Sequence, residues 1–356
     1  MFKGKKILIT GGTGTIGKAL VWALLKYEPK VIRIFSRSEA EQFFMRHELN
    51  SDSSLKCNIK DIKDEDYEIG TLRFLIGDIR DKERLSMAMD DIDIVFHTAA
   101  MKHVESSEYN PFEAVKTNVI GMQNLIDVAF EHNVEKVIYT SSDKAANPNN
   151  TMGATKLLGE RLMTAANYYK GRKRTVFASV RFGNVMGSRG SVIPLFKQQI
   201  EKGCPVTVTD PNMTRFMMTL SHAIQLVFRC AEMASGGEIF ILKMPVVRLG
   251  DLARVVIEEH GSKIGKKASQ IQVKIIGAKN GETRFEELMT EEESIRALET
   301  DDMFIVPIDK AKYMRHLDSY DIPYVEIKQA DRYDSRNEPV VDINRLRLML
   351  KREKLV

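Results

Sequence analysis

Short apolar runs alternate with longer charged, periodic stretches through the first half of this chain. Runs at Lys6–Thr10, Val31–Phe35, Leu72–Ile76, Ile92–Thr98, Lys136–Thr140 and Thr175–Arg181 are of strand length and rich in β-branched and aromatic residues. The segments between them predict helices over 17–27, 37–48, 82–90, 111–132 and 152–170. Asp81 and the pair Asn110-Pro111 supply start signals for two of these. Strand and helix in strict alternation predict an α/β fold with a doubly wound parallel sheet. Past about residue 182 the rhythm breaks into loops rich in Gly, Ser and Thr, helices over 194–202 and 221–233, and a charged stretch over 283–300. We read residues 1–182 as the sheet domain, with later sheet elements from about 216–243. Residues 183–356 are then mainly a smaller, interleaved substrate-binding portion with a C-terminal helical tail. No repeat or low-complexity linker separates them, so one compact body is expected.

The first strand runs directly into Gly11, Gly14 and Gly17 and then a helix. That strand–turn–helix context makes the glycines a dinucleotide site of the Rossmann type. They permit the tight turn, close approach of a pyrophosphate and close packing of helix on strand. Thr13, Thr15 and Ile16 share this turn, and the helix start offers free N–H groups to the anion. The second strand ends at Ser36-Arg37, with no carboxylate at its tip to bind a ribose hydroxyl. A guanidinium and a hydroxyl suit a 2′-phosphate, which favours NADP over NAD; the alternative is that Arg37 is a solvated helix-start residue. Asp78 and Ile79 follow the third strand beside the adenine position, and Ala99 and Ala100 follow the fourth along the pyrophosphate.

Composition narrows the class. A chain of 356 residues that is 43% hydrophobic, with no bilayer-length apolar run and no cleavable signal, reads as a cytoplasmic enzyme. A formal charge of +4 suits small anionic ligands and offers no dedicated nucleic-acid surface. Cys57, Cys204 and Cys230 lie far apart without metal-ligand spacing, so reduced thiols and no metal are expected. The tail from Arg345 to Lys354 carries an apolar helical stripe with a solvated charged face.

The chemistry concentrates in Thr140-Ser-Ser-Asp-Lys-Ala-Ala-Asn-Pro-Asn-Asn-Thr-Met-Gly-Ala-Thr-Lys156. Ser142, Asp143 and Lys144 place a hydroxyl, an acid and an amine side by side at the carboxyl edge of the sheet, where such folds bind ligands. The segment resembles the extended short-chain dehydrogenase/reductase family, in which a Tyr-x-x-x-Lys pair follows this strand. Lys156 is the lysine of that pair, and Met152 stands where the tyrosine would be. With Ala100-Met-Lys-His-Val104, Glu108 to Asn118, Arg181 to Pro194 and Val206 to Arg215, it is similar to the UDP-N-acetylglucosamine 4,6-dehydratases of bacterial polysaccharide biosynthesis over about residues 5–295. Where that family shows Arg-Pro-Gly-Glu-Lys, this chain has Lys279-Asn-Gly-Glu-Thr283. Larger members carry membrane spans ahead of this region, and the present chain resembles the short soluble type.

The resemblance implies a UDP-N-acetylglucosamine 4,6-dehydratase with tightly bound, recycled NADP. Lys144 is then the base at C5, Asp143 the acid at C6, Ser142 a hydrogen-bond partner near the C4 oxygen, and Lys156 a ribose contact. Lys102 and Asn118 join the cofactor set. Lys102, His103, Asn184, Val192, Thr207, Thr209, Arg215, Met217, Lys279 and Glu282 form the substrate set, with Glu282 at the ribose and Lys279 in place of a bidentate arginine at the diphosphate. His97 and His103 read as structural or orienting. The partners implied are the nucleotide sugar and further copies of the chain in a homo-oligomer, with no nucleic acid and no membrane. Burial would drive Lys144 neutral and Asp143 protonated, as the roles require, whereas their mutual attraction opposes both. Rival readings are a UDP-hexose 4-epimerase and a non-catalytic NADP-binding sensor. At C5 the sequence favours retention over inversion, because Met152 cannot donate a proton from across the ring.

Overall fold

A computed structural model describes residues 1–52, 70–278 and 281–356. Cys57 and Lys279 lie outside the described residues. Strands β1 (Lys6–Thr10), β2 (Val31–Ser36), β3 (Leu72–Ile76), β4 (Ile94–His97), β5 (Lys136–Thr140) and β6 (Val176–Arg181) are the expected six, with ends shifted by a residue or two. They pair in parallel in the order β3-β2-β1-β4-β5-β6. The chain reverses direction across the sheet between β1 and β4, which opens a ligand crevice at their carboxyl ends.

Helices α1 (Thr15–Leu25), α2 (Glu39–Ser51) and α3 (Lys82–Met89) follow the first three strands. Side-chain caps set two of the starts: Ser38 accepts from the Glu41 N–H and Asp81 from the Arg84 N–H. Helix α1 has no side-chain cap at Gly14 and no acidic residue in its first turn, so its N–H groups remain available to an anion. The stretch expected as one helix over 111–132 is preceded by α4 (Val104–Tyr109) and is itself divided. It comprises α5 (Pro111–Val115), a π-helical turn over Lys116–Ile120, and α6 (Gly121–Glu131). The π turn carries Asn118, whose amide oxygen accepts from the Met101 N–H and whose Nδ2 donates to the Met101 carbonyl and Thr155 Oγ1. Periodicity could not reveal this turn, because the apolar stripe runs through it. Helix α7 (Thr151–Tyr169) follows β5.

Beyond residue 182 lie β7 (Asn184–Val185), α8 (Val192–Glu201), β8 (Val206–Val208), β9 (Thr214–Met218), α9 (Leu220–Met233) and β10 (Ile239–Leu242). The remainder comprises β11 (Val246–Arg248), α10 (Leu249–Lys263), β12 (Val273–Ile275), β13 (Glu287–Met289), α11 (Glu291–Arg296), β14 (Leu298–Glu299), β15 (Met303–Val306), α12 (Lys310–Ser319), β16 (Val325–Glu326), β17 (Tyr333–Asp334) and α13 (Ile343–Arg352). Of the stretch expected to return to the main sheet, β10 does so, parallel to β6; β9 instead joins β7 and β11 in a small separate sheet. Antiparallel β15, β14 and β16 then extend the main sheet to ten strands, an addition too short and too distant in sequence for its pattern to announce.

Three apolar clusters divide the interior. One packs α1, α9 and α12 on one face of the sheet, a second packs α3, α6 and α7 on the other, and a third unites α8, α10 and α13 in the smaller lobe. The tail helix buries Leu346 and Leu350, while Arg347 and Lys351 pair with Glu258 and Glu259 of α10. Its charges are therefore partly committed across the lobe rather than simply solvated.

One buried ionic knot ties the strand and helix flanking the β5 turn to the later segment around α11. Arg181, fully buried at the end of β6, bonds Glu160 of α7 at 2.6 and 3.0 Å, Glu293 of α11 at 2.9 Å, and the Leu288 carbonyl at 2.8 Å. Removing one partner of a buried charge is costly because the other stays in low dielectric. Glu160→Ala is therefore expected to destabilise the protein by about 3–5 kcal/mol in denaturant unfolding. A loss below about 1 kcal/mol would show that Glu293 alone satisfies Arg181.

Candidate active site

Strand β5 ends where two backbone bonds pin its exit: the Ser141 N–H donates to Val180 and the Asp143 N–H to Phe182. A single 3-10 turn over Asp143–Ala145 follows. Helix α7 then starts so close that a Cβ at Gly153 would lie 2.4 Å from the Lys144 carbonyl oxygen. Glycine is needed there for helix and turn to coexist. Ser142 Oγ donates to Asp143 Oδ1 at 2.6 Å, and Lys144 Nζ donates to Asp143 Oδ2 at 2.8 Å.

Opposite this pair stands a carboxylate that the sequence reading missed. Glu286 Oε1 lies 3.7 Å from Lys144 Nζ. Asn184 Nδ2 bonds its two oxygens at 2.9 and 3.0 Å, the Phe216 N–H bonds it at 3.0 Å, and Arg215 Nε lies 3.4 Å away. The available signal was an acid pair, Glu286-Glu287, set between Phe285 and Leu288, which is an unusual place for charge unless the charge is held. Arg215 also bonds Glu282 at 3.2 Å and the Thr283 carbonyl at 2.9 Å.

These groups face a cavity of about 1050 Å³. Of the expected residues it gathers His103, Asp143, Lys144, Asn184, Arg215 and Glu282. Val192, Thr207, Thr209 and Met217 do not line it. Met217 is buried in the smaller lobe's core, and Thr207 Oγ1 accepts from Gln199. Thr209 approaches Glu282 at 3.5 Å from behind the wall. Met152 is buried in the first turn of α7. Lys156, one turn on, donates to the Thr140 carbonyl at 2.8 Å, and burial lowers its amine to about 8. His97 is buried on β4 against Thr10, and burial lowers it to about 3, so it is a neutral structural residue.

The protonation of the pair is decided by attraction. Burial pushes the Asp143 carboxyl up, but the Lys144 charge and the bonds from Lys144 and Ser142 outweigh it and leave the group below its ordinary value. Burial likewise lowers Lys144, and the charges of Asp143 and Glu286 more than restore it. The resting site therefore holds an ammonium–carboxylate pair, not the neutral amine and acid that elimination chemistry needs. Glu286 behaves oppositely: burial, then the Asp143 charge, raise it to about 7 against the pull of Lys144 and Arg215.

The crevice beside β1 and β4 fits a dinucleotide. A Cβ at Gly11, where φ is +67°, would lie 2.7 Å from the Ala99 nitrogen, and one at Gly17 would lie 2.5 Å from the Gly11 oxygen. The turn is thus as tight as glycine allows, with the uncapped start of α1 behind it. Ala99 borders the turn, while Ile79 is buried against Gly121. Arg37 is exposed at the rim, 3.9 Å from Asp78, whereas Ser36 is buried and accepts from Gln42. Asp78 bonds Arg80 at 2.7 Å. The 186–191 loop straps over the turn: the Arg189 N–H donates to Thr15 Oγ1, its guanidinium pairs with Glu41, which also accepts from Thr13, and Lys102 holds the Arg189 carbonyl.

A family model for polysaccharide biosynthesis proteins matches residues 7–308. The chain belongs to that family. Relatives include a protein of Methanocaldococcus jannaschii described as an uncharacterized membrane protein, 54% identical with 86% of each chain covered. A Campylobacter jejuni protein named UDP-N-acetylglucosamine 4,6-dehydratase (inverting) is 44% identical over 86% of this chain and 84% of its own. A Rickettsia rickettsii protein named UDP-glucose 4-epimerase is 38% identical over 87% and 84%. The X-ray structure of Pen from Bacillus thuringiensis superimposes with a TM-score of 0.87 at 46% identity, covering 100% of this chain and 99% of that one. Among the described residues no helix is long and apolar enough to cross a membrane.

The raised Glu286 gives a pH signature in stability. The folded protein keeps on Glu286 a proton that an unfolded glutamate, at 4.5, gives up below about 7. Its contribution is thus fully present below the unfolded value and is lost as pH rises toward 7. Between about pH 5 and about pH 8 it costs the folded state on the order of 3 kcal/mol. Urea unfolding of wild type and Glu286→Gln at both pH values should show that component only in wild type; parallel changes would place the Glu286 value near that of an ordinary glutamate.

Proposed function

We propose that this protein is a UDP-N-acetylglucosamine 4,6-dehydratase that forms a UDP-linked 4-keto-6-deoxy-N-acetylhexosamine for glycan biosynthesis. The observation that carries the reading is the Asp143–Lys144 pair facing the cavity, in the turn just ahead of the helix on which methionine stands where tyrosine would be. An epimerase needs only the C4 carbon oxidised and reduced again, which leaves an aligned acid and amine without a task. The C. jejuni relative's name supports dehydration, and the R. rickettsii name makes epimerisation the second reading.

A nicotinamide dinucleotide held by Gly11, Gly14, Gly17 and the start of α1 would accept hydride from C4 and return it at C6. The chain's own residues move protons. From the resting ion pair, the proton on Lys144 Nζ passes to Asp143 Oδ2 across the 2.8 Å contact, leaving a neutral amine and a carboxylic acid. Substrate that displaces water favours this transfer, since an ion pair loses more solvation than its neutral form. The amine then takes the C5 proton acidified by the 4-keto group, and the acid protonates the departing C6 hydroxyl, which leaves as water. The pair ends as ammonium and carboxylate, its starting state, and the proton lost from the C4 hydroxyl at the first hydride transfer is balanced by the proton delivered to C5 from the cavity wall when hydride returns at C6. Ser142, bonded to Asp143, fixes that carboxyl's orientation. Arg215 and Asn184 line the wall, where they would meet the diphosphate and sugar, and Lys156, bonded to the Thr140 carbonyl, would take the ribose.

For C5 we propose inversion. The sequence argument for retention assumed that a proton from across the ring needs a tyrosine at 152, yet His103 also lines the cavity and its imidazole carries an exchangeable proton. The name of the C. jejuni relative supports the same reading.

Incubation with UDP-N-acetylglucosamine should give a product lighter by one water, with the ring couplings of the L-arabino isomer in proton NMR of the first species formed. A product of unchanged mass would favour epimerisation, and xylo couplings would restore retention. Asp143→Asn and Lys144→Ala should each lower turnover by about 10²–10⁴-fold with the fold intact by circular dichroism. Near-normal rates in either would remove the mechanism. For the cofactor we propose NADP, because Arg37 stands exposed at the rim. Arg37→Ala should weaken NADP binding by about tenfold and NAD binding far less in a titration of the free protein. Equal losses would make Arg37 a surface residue.

A further inference from the structure

The proton count above leaves Glu286 unused, although it is among the most buried charged groups of the cavity wall. Resting on the dehydratase reading, we propose that Glu286 is a positioning residue for the acid–base pair, its carboxyl deciding whether Lys144 keeps or yields its proton. The geometry confines the amine between two carboxylates, Asp143 at 2.8 Å and Glu286 at 3.7 Å. With Glu286 ionised, both negative charges hold the ammonium. With Glu286 protonated, Asp143 alone faces it, and transfer of the proton from Lys144 to Asp143 becomes easier.

The groups that face Glu286 come from three directions. Asp143 and Lys144 come from the turn after β5, Arg215 from β9, and the neutral Asn184 from β7. Arg215 divides its guanidinium between Glu286 and Glu282, so it does not neutralise Glu286 alone. Asn184 and the Phe216 N–H fix the carboxyl whichever form it takes. Burial and the nearby Asp143 charge put the change between the two forms at about pH 7, where a small change in surroundings alters the occupancy. A carboxyl placed only for structure would need neither the lysine nor a shared cavity.

The test pairs turnover with a measurement that needs no turnover. In wild type, kcat on UDP-N-acetylglucosamine should fall above about pH 7 toward the limiting slope of about tenfold per pH unit. Glu286→Gln cannot ionise and should lose that decline, while Glu286→Asp, which can, should keep it. Nitrogen NMR of labelled lysine should show the Lys144 amine titrating about one pH unit lower in Glu286→Gln than in wild type. A uniform loss of rate with an unchanged pH profile, together with an unshifted Lys144 amine, would overturn the proposal and leave Glu286 a structural anchor. Should wild type fail to dehydrate the substrate, the functional reading falls on that result, and the amine titration alone decides whether Glu286 governs Lys144.

Discussion

Everything at the cavity depends on one short contact, the ammonium of Lys144 against the carboxylate of Asp143 at 2.8 Å. Neighbours in sequence rarely aim their charges at each other so directly, and here the backbone makes them do so. Strand β5 exits against β6 through two pinned amides, the chain turns once, and α7 crosses at a distance that only glycine at 153 permits. The contact stabilises the wrong protonation state for elimination and supplies the shortest route to the right one. A proton moving a fraction of an ångström converts a resting ion pair into an acid and a base, with no exchange with solvent.

The smaller lobe matters because it brings distant charges to that contact. Glu286 precedes β13, Arg215 sits on β9 and Asn184 on β7; Arg215 and Asn184 hold Glu286, and Glu286 faces Lys144 across the cavity wall. The Arg181 knot holds this convergence. It joins the end of β6, the middle of α7 and the start of α11, so the strand before the site, the helix after it and the segment just after Glu286 share one buried charge centre. Buried ion pairs add little net stability, but they penalise any arrangement that leaves a charge unpaired, and here that penalty fixes α11, and the segment leading into it, against β6 and α7.

The crevice and the cavity meet at α7. Lys156 reaches back to the Thr140 carbonyl on the sheet side, while Met152 is buried four residues earlier in the same helix. The Arg189 strap crosses the glycine turn, bonded to Thr15 through its N–H and held by Lys102 at its carbonyl. On the proposed reading the cofactor is regenerated in each turnover and has no need to leave, and a strap bonded to Thr15 and Glu41 suits that economy of motion.

The amino-acid sequence by itself determined the parallel sheet, the glycine turn and the Asp143–Lys144 pair. Each is a local pattern: strand-length apolar runs, glycine at positions where a Cβ collides, and side chains adjacent in the chain. The helix over 111–132 was legible as helix, but its π turn was not, since the turn exists to aim Asn118 at Met101 and Thr155, partners that only folding brings near. The antiparallel strands at the sheet edge escaped notice because two to four residues carry too little periodicity. Thr207 and Met217 lie in a segment whose motif pointed at the substrate, yet the lobe's packing turned one toward Gln199 and the other into the core. Glu286 shows the division most sharply. Its charge was written in the chain, beside Glu287 and between Phe285 and Leu288, but its meaning depends on distances to Asp143, Lys144 and Arg215, and electrostatic energy is set by separation in space rather than by separation in sequence.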